Sequence, residues 1–385
     1  MSFLTKFFTG VRRSFVHCSL GISLVATAGQ AYAITTKAEQ AIVVDYTTST
    51  VLYAKNADEL MAPSSMTKMM TVYLVFERLK EGKLKLEDTF VVSEKAWRMQ
   101  GSKMFVHVGD SVSVEDLLHG VITQSGNDAC IVLAEGLAGS EEAFAEQMTQ
   151  KAKEFGMAHT TFKNATGWPA PDHLTTARDL AVLGGRLIHD FPEYYPYFSK
   201  PDFTYSGIYQ PNRNLLLFRN IGVDGIKTGH TEAGGYGITI SGTRNDRRLV
   251  VVVNGLTSDK ERANEAQELF SYAMYNYENK DIFKKGATIE KAETWYGDAD
   301  TVPLVVSQDV TAVVPTSHKD AVQLSVSYKG PIAAPIQEGQ HIADLTIAIP
   351  DMEKQVVPLV AGKEVKKTSY VGSLIQTAKY RLQGL

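Results

Sequence analysis

Strand-forming segments stand at both ends of a long helical middle, and that order restricts the fold more than any other feature. Ala41-Ile42-Val43-Val44-Asp45 and Thr50-Val51-Leu52-Tyr53 flank a polar turn and predict a hairpin. From Ser65 to about Lys80 the apolar residues Met69, Val72, Tyr73 and Phe76 recur at helical spacing. Ser113-Val114-Glu115-Asp116 opens another helix with a capping-box pattern. The residues after Asn127, then 141–156 and 175–189, give further helical patterns. Val223–Thr231, Tyr236–Ser241 and Leu249–Val253 return to strand, and 261–277 closes the region as a helix. Strands at both ends around helices predict an antiparallel sheet whose N- and C-terminal strands meet, with helices packed on it.

Beyond residue 279 no long helical pattern remains. Short β-branched or alternating runs at 302–306, 310–314, 322–328 and 342–349 are separated by Gly, Pro, Asp and Ser. They predict a small all-β domain, a sandwich, over 280–362, with the boundary in a link at 279–285. In the last segment, 363–385, Val371, Leu374, Ile375, Ala378, Leu382 and Leu385 form one apolar stripe. That amphipathic helix is too polar to span a bilayer and suited to lying in its interface, although a helix docked on its own domain shows the same stripe. Residues 1–33 read as a secretory signal peptide: Lys6, Arg12 and Arg13, an apolar run from Phe15 to Ala28, then Ala31-Tyr32-Ala33. The body, 34–279, is then the first domain of an exported protein.

Composition removes several classes of function. Of 385 residues, 44% are hydrophobic and 21% charged, enough to bury cores in two domains. The acidic excess lies between the basic leader and a tail carrying Lys363, Lys366, Lys367, Lys379 and Arg381 against Glu364. An acidic body argues against nucleic acid as partner, and the basic tail points to an anionic membrane surface. Cys18 falls in the leader, so Cys130 is left without a disulfide partner and is expected in the core. No His/Cys cluster suggests a metal, and no cofactor motif is present.

Three short motifs carry chemistry. Ser65-Met66-Thr67-Lys68 starts the first helix, where residues three apart share a face, so the hydroxyl and the amine meet. A serine needs a base to become a nucleophile, and Lys68 is one only if burial or a second cation lowers its pKa. Ser125-Gly126-Asn127 lies between helices: Ser125 would relay a proton and Asn127 would bond both Lys68 and a peptide, unless Asn127 is simply a helix N-cap. Lys227-Thr228-Gly229 lies on a strand. There Lys227 would depress Lys68 by like charge and attract a carboxylate, Thr228 would bond it, and Gly229 would let a peptide backbone approach. The backbone N–H groups of Ser65 and His230 would face an oxyanion.

Each motif alone is common, but the three occur in the order nucleophile, loop, strand. With Thr166-Gly167-Trp168-Pro169, His173-Leu174-Thr175-Thr176, Asn212-Arg213-Asn214 and Asp224–Thr231, the chain resembles the low-molecular-mass penicillin-binding proteins that are serine-type D-alanyl-D-alanine carboxypeptidases. The resemblance implies a penicillin-binding/serine β-lactamase-like α/β catalytic domain, with an antiparallel five-stranded sheet, and a second all-β domain with an anchoring helix. It implies attack by Ser65 on the penultimate D-Ala of a peptidoglycan stem peptide, acylation by β-lactams, and a site on the periplasmic face of the bacterial inner membrane. Arg213 and Arg262 align with basic residues near the active site in relatives, and His173 lies in the loop facing it. The alternatives are a DD-endopeptidase, a β-lactamase, for which no Glu-x-x-Leu-Asn loop is found, and a catalytically silent wall-binding or shape protein.

Overall fold

The structure, a computed structural model, describes residues 34–350 and 352–382; the leader read in 1–33 lies outside the described residues. The chain divides into two compact units, with the break between Tyr275 and Asn276.

In the first unit, β1 (Gln40–Asp45) and β2 (Thr50–Lys55) form the expected hairpin. Residues 64–67 make a single 3-10 turn that runs into α1 (Lys68–Lys80). A short ribbon of β3 (Thr89–Val91) and β4 (Ser111–Ser113) encloses α2 (Glu94–Arg98). The helical layer continues with α3 (Val114–Ile122), α4 (Asn127–Ala138), α5 (Glu141–Glu154) and α6 (Ala177–Asp190). Ser113, Ser140 and Thr176 cap α3, α5 and α6 by accepting a backbone N–H, as such residues do at helix starts. A second ribbon, β5 (Asp202–Tyr205) and β6 (Ile208–Pro211), precedes β7 (Val223–Thr231), β8 (Gly235–Arg244), β9 (Arg247–Leu256) and α7 (Asp259–Asn276).

The main sheet has the order β2-β1-β9-β8-β7, so the N-terminal hairpin does meet the C-terminal strands. Alternation along the central strands explains the layers. Ile42, Val250 and Val252 pack with the helical layer, whereas Ala41, Val43, Leu249, Val251 and Val253 pack with Ala266, Leu269 and Phe270 of α7. A strand covered on both faces reads as an unbroken apolar run, which is why β9 shows no polar alternation. β7 is left at the edge of this sheet.

The second unit begins with β10 (Tyr277–Phe283), so the predicted link at 279–285 is largely strand and the expected boundary at 279/280 falls inside it. β10 pairs with β13 (Val310–Pro315). The remaining strands are β11 (Thr288–Trp295), β12 (Thr301–Val306), β14 (Gln323–Ser327), β15 (Ile332–Ala333), β16 (His341–Ala348) and β17 (Gln355–Ala361). They form one sheet ordered β14-β16-β17-β12-β11-β15. The ribbon and the sheet share a core that includes Phe283, Val310, Leu304, Leu345 and Leu359.

α8 (Tyr370–Leu382) follows. Its polar side meets its own unit, where Gln376 Nε2 donates to Gly297 O and Thr377 Oγ1 to Tyr296 OH. Tyr370, Val371, Leu374 and Ile375 on the other side are each more than half exposed. No helix among the described residues is long and apolar enough to cross a membrane.

A buried ion pair ties the first unit together. Asp45 accepts from Arg247 Nε at 2.5 Å and from Thr48 N at 3.0 Å, and Arg247 Nη1 donates to Ala273 O at 2.7 Å. Removing one partner strands the other charge away from water. Asp45→Ala is therefore expected to lower the unfolding free energy by about 3–5 kcal/mol, read from guanidinium denaturation.

Candidate active site

Ser65 sits in the 3-10 turn, partly exposed, and not in the helix proper. Two features hold the turn. Ser64 has a positive φ of 49°, and its hydroxyl lies 2.9 Å from Thr231 Oγ1 on β7. Gly229 of the same strand packs directly on the turn: a Cβ there would lie 3.1 Å from Ser64 Cβ and 3.2 Å from Pro63 O. The missing side chain thus serves the close approach of strand and turn, beyond any role in admitting a ligand.

Lys68 is the first residue of α1 and is fully buried. Its Nζ lies 2.9 Å from Ser65 Oγ, 2.7 Å from Asn127 Oδ1 and 2.6 Å from the carbonyl oxygen of Thr166. The last two atoms only accept hydrogen bonds. In a neutral amine they take both N–H groups, and the lone pair is left facing the Ser65 hydroxyl. The Lys68 pKa is brought from 10.5 down to about 8, chiefly by burial; Cys130 and Asp128 pull against that shift and the Arg213 guanidinium adds to it. Lys227, the cation expected to depress it, is itself held well below its ordinary range, first by burial and then by Lys68. Desolvation of Lys68, rather than a charged Lys227, is the main cause of its basicity near neutral pH.

Asn127 is not the N-cap of α4; Gly126 is. Its Oδ1 is occupied by Lys68 and its Nδ2 donates to Gln100 O at 2.7 Å. Ser125 holds a positive φ of 61°, and its buried hydroxyl has no hydrogen-bond partner among the described residues. Such a group, free to rotate, is suited to passing a proton.

Lys227 and Thr228 are buried on β7, and among the described residues the Lys227 amine reaches only the Thr228 carbonyl, at 3.3 Å. The exposed His230 ring stacks on Tyr236 with centroids 3.9 Å apart. Arg262, buried on α7, donates to Gly229 O at 3.2 Å and lies over the Tyr236 ring. Arg213 is exposed and donates to Ser102 Oγ at 2.6 Å. None of Lys68, Lys227, Arg213 and Arg262 forms an ion pair among the described residues. Buried basic groups such as Lys227 and Arg262, with no directly paired carboxylate among the described residues, suit an anion.

His173 stands apart from this group. Nδ1 accepts from Lys163 N at 3.2 Å, so Nε2 carries the hydrogen and donates to Thr67 Oγ1 at 2.9 Å. Burial pushes its pKa down to about 4, so the ring is neutral. With both nitrogens used and 4% exposure, it braces the turn rather than offering an atom to a ligand. Cys130 is likewise a core thiol, pushed up to about 12 by burial. Among the described residues no cluster of three His, Cys, Asp or Glu is placed to hold a metal ion.

Several residues of the site carry no chemical signature in sequence. The Thr166 carbonyl is one of them. Gly167 brings it in, since a Cβ at Gly167 would overlap Ser64 O. Asp128 accepts from the backbone of Met104 and Phe105, both at 2.9 Å, and so fixes the segment whose Ser102 O receives the Asn127 N–H. A glycine beside a turn and an acid after a motif were the available signals.

The pattern of the D-alanyl-D-alanine carboxypeptidase family matches residues 25–258, and that of the penicillin-binding protein 5 C-terminal domain matches residues 277–367. The D-alanyl-D-alanine carboxypeptidase DacC of Escherichia coli is 39% identical over 339 residues, 86% of this chain and 85% of that one. Penicillin-binding protein 5 from Haemophilus influenzae superposes with a TM-score of 0.80 at 35% identity, covering 87% of this chain and 99% of that one. Penicillin-binding protein D2 from Listeria monocytogenes in its cefotaxime-bound form gives a TM-score of 0.58 at 29% identity, over 62% of this chain and 98% of that one.

Because Lys68 can accept a proton only as the neutral amine, acylation of Ser65 should rise with pH and be half-maximal near pH 8. Single-turnover acylation followed by mass spectrometry across pH 6–10 checks this. A rate flat through that range would remove Lys68 as the base.

Proposed function

The chain belongs to the D-alanyl-D-alanine carboxypeptidase family and is a serine D-Ala-D-Ala carboxypeptidase, and from that premise we propose the roles of its residues. Ser65 is the nucleophile and Lys68 its base. The supporting observation is the Lys68 amine, whose two carbonyl partners turn its lone pair on Ser65 Oγ. The Ser65 proton moves to Lys68 Nζ as Oγ attacks the carbonyl carbon of the penultimate D-Ala. The backbone N–H groups of Ser65 and His230 face the oxyanion, and the substrate carboxylate is drawn to Lys227, Thr228, Arg213 and Arg262. Collapse breaks the C–N bond, and the proton passes by way of Ser125 to the departing amine of D-Ala. Water then takes the place of that amine: Lys68 receives its proton, and hydrolysis frees Ser65. His173 contributes by bracing the turn.

A β-lactam presents a strained amide with a neighbouring carboxylate and would acylate Ser65 in the same way, in keeping with the cefotaxime-bound relative. The stem peptide of peptidoglycan is the natural donor in this reading. Export is supported by the pattern of residues 1–33, and attachment to the periplasmic face of the inner membrane by the exposed apolar side of α8 beside the exposed Lys363, Lys366 and Lys367.

Two outcomes are expected. Ser65→Ala should lose D-Ala release and the covalent penicillin adduct while its thermal melt stays in place; retained turnover would sink the nucleophile assignment. A chain ending at Thr368 should release D-Ala at the full rate yet no longer sediment with vesicles containing anionic lipid. If it still sediments, α8 is not the anchor.

A further inference from the structure

Arg213 is exposed, yet it stands between two asparagines that are both buried. The polar atoms of Asn212 and Asn214 are committed to backbone. Asn212 N donates to Pro201 O at 2.7 Å and Asn212 Nδ2 to Lys200 O at 3.0 Å, which fastens the segment to the chain entering β5. Asn212 Oδ1 accepts from Asn214 N at 2.9 Å and so closes the backbone around Arg213. Asn214 Oδ1 accepts from Leu216 N at 3.1 Å and caps the 3-10 turn Leu215–Phe218. The remaining group, Asn214 Nδ2, crosses to β7 and donates to Gly225 O at 3.1 Å.

Gly225 lies two residues before Lys227. The bond from Asn214 therefore sets the backbone of Arg213 at a fixed distance from the strand that carries Lys227. The start of β7 is itself well held. Asp224 accepts from Arg248 Nη1 at 2.9 Å, from Arg248 Nη2 at 2.8 Å and from Tyr195 OH at 3.0 Å. The head of Arg213 reaches Ser102 Oγ through Nη1, and its other N–H groups donate to nothing among the described residues. Burial first, then the Lys68 amine, then the Arg213 guanidinium hold Lys227 well below its ordinary range, so Arg213 and Lys227 act in one field. A guanidinium recognises a carboxylate through a planar fork, so its worth depends on its placement more than that of an ammonium does. A long side chain on an unfixed loop loses that placement to conformational freedom.

We propose that Asn214 is a positioning residue for the donor's terminal carboxylate: by bonding Gly225 O it fixes the spacing of Arg213 and Lys227, so that one carboxylate meets both. The proposal rests on the carboxylate roles given above to Arg213 and Lys227. Asn214 acts through Arg213, and its loss is read in recognition of the carboxylate and not in the acyl-transfer chemistry.

The experiment uses the full-length enzyme and two donors with the same acyl group. Diacetyl-L-Lys-D-Ala-D-Ala ends in a carboxylate, and the ethyl thiolester of diacetyl-L-Lys-D-Ala does not. Both are assayed with wild type, Asn214→Ala, Asn214→Ser, Arg213→Ala and the double variant Arg213→Ala/Asn214→Ala. The readout is the ratio of kcat/KM on the carboxylate donor to that on the thiolester, in which any unfolded fraction cancels. The expected result in Asn214→Ala is a ratio lowered about 10-fold, carried in KM. Asn214→Ser should lose as much, because its hydroxyl keeps the cap on Leu216 but cannot reach Gly225. The double variant should fall no lower than Arg213→Ala, since the two residues act as one unit. An unchanged ratio in Asn214→Ala, or a wild-type ratio in Asn214→Ser, would mean that the asparagine only holds its own loop, and would overturn the proposal. So would a double variant whose loss is the product of the two single losses. If Arg213→Ala alone leaves the ratio unchanged, the carboxylate role of Arg213 has failed, and the positioning role fails with it.

Discussion

The amine of Lys68 is out of contact with water, and the rest of the site is arranged around that fact. A buried ammonium is costly unless it is paired, and no carboxylate pairs with this one among the described residues. The amine instead meets two neutral oxygens and one hydroxyl, partners that serve the uncharged form well. Three stretches of chain must converge for this: the 3-10 turn, the start of α4, and the loop at Thr166. Each is fixed by something further out. Asn127 is held by Gln100 O, the Thr166 loop by Asn164, and the turn by Thr231 and His173. Met66, Met69 and Met70, all fully buried, seat the turn and α1 in the core shared with the sheet. Burial that makes Lys68 a usable base near neutral pH is thereby supported by the packing of the whole helical layer.

The same desolvation reaches Lys227 and Arg262, which are also buried, and Arg262 is pushed down to about 10. Buried basic groups with no directly paired carboxylate among the described residues are unfavourable in the free protein. A ligand carboxylate relieves that, so part of the binding energy is already present as electrostatic strain before the ligand arrives. On binding, the added negative charge would also favour protonation of the lysines. The carboxylate therefore has to settle closer to Lys227 and Arg262 than to Lys68 if Lys68 is to remain a base. Placement of Lys227 on β7, while Lys68 is enclosed by Asn127 and Thr166, is consistent with such a division.

Sequence made the first unit legible because its sheet obeys simple rules. β7 has the predicted bounds, and the turn between β8 and β9 carries Asn245 and Asp246, both at positive φ, as a tight hairpin requires. The second unit was less legible. β10 and β11 are rich in Glu, Lys and Asp with weak alternation, and β17 contains Pro358, which ordinarily argues against an inner strand. Pro358 stands opposite Asp344 of β16, while the pairing of β17 with β12 reaches only to Leu359, so the proline lies where the strand is paired on one side. In the site, the motif residues were found because their chemistry is written in their side chains. Thr166 escaped because it acts through a carbonyl that every residue has. His173 and Asn127 were ambiguous for a different reason: each could have been a ligand group or a structural brace, and only the partners of their polar atoms separate the two.

Partners also separate the serines of the site, which composition alone leaves equivalent. Ser64 precedes Ser65 by one residue, but its hydroxyl is engaged with Thr231 and it is 2% exposed. Ser125 is equally buried, and among the described residues its hydroxyl has no base within hydrogen-bond reach. Ser102 is tied to Arg213, a cation that stabilises an alkoxide but cannot accept a proton. Ser65 alone among these four has both a partly exposed hydroxyl and an amine 2.9 Å away with its other bonds committed elsewhere. The positive φ of Ser64 contributes to this difference, since it turns the chain so that successive hydroxyls face different partners. A regular helix from Ser65, as the periodicity suggested, would lack that turn; the distorted start is what divides the anchoring role of Ser64 from the reactive role proposed for Ser65.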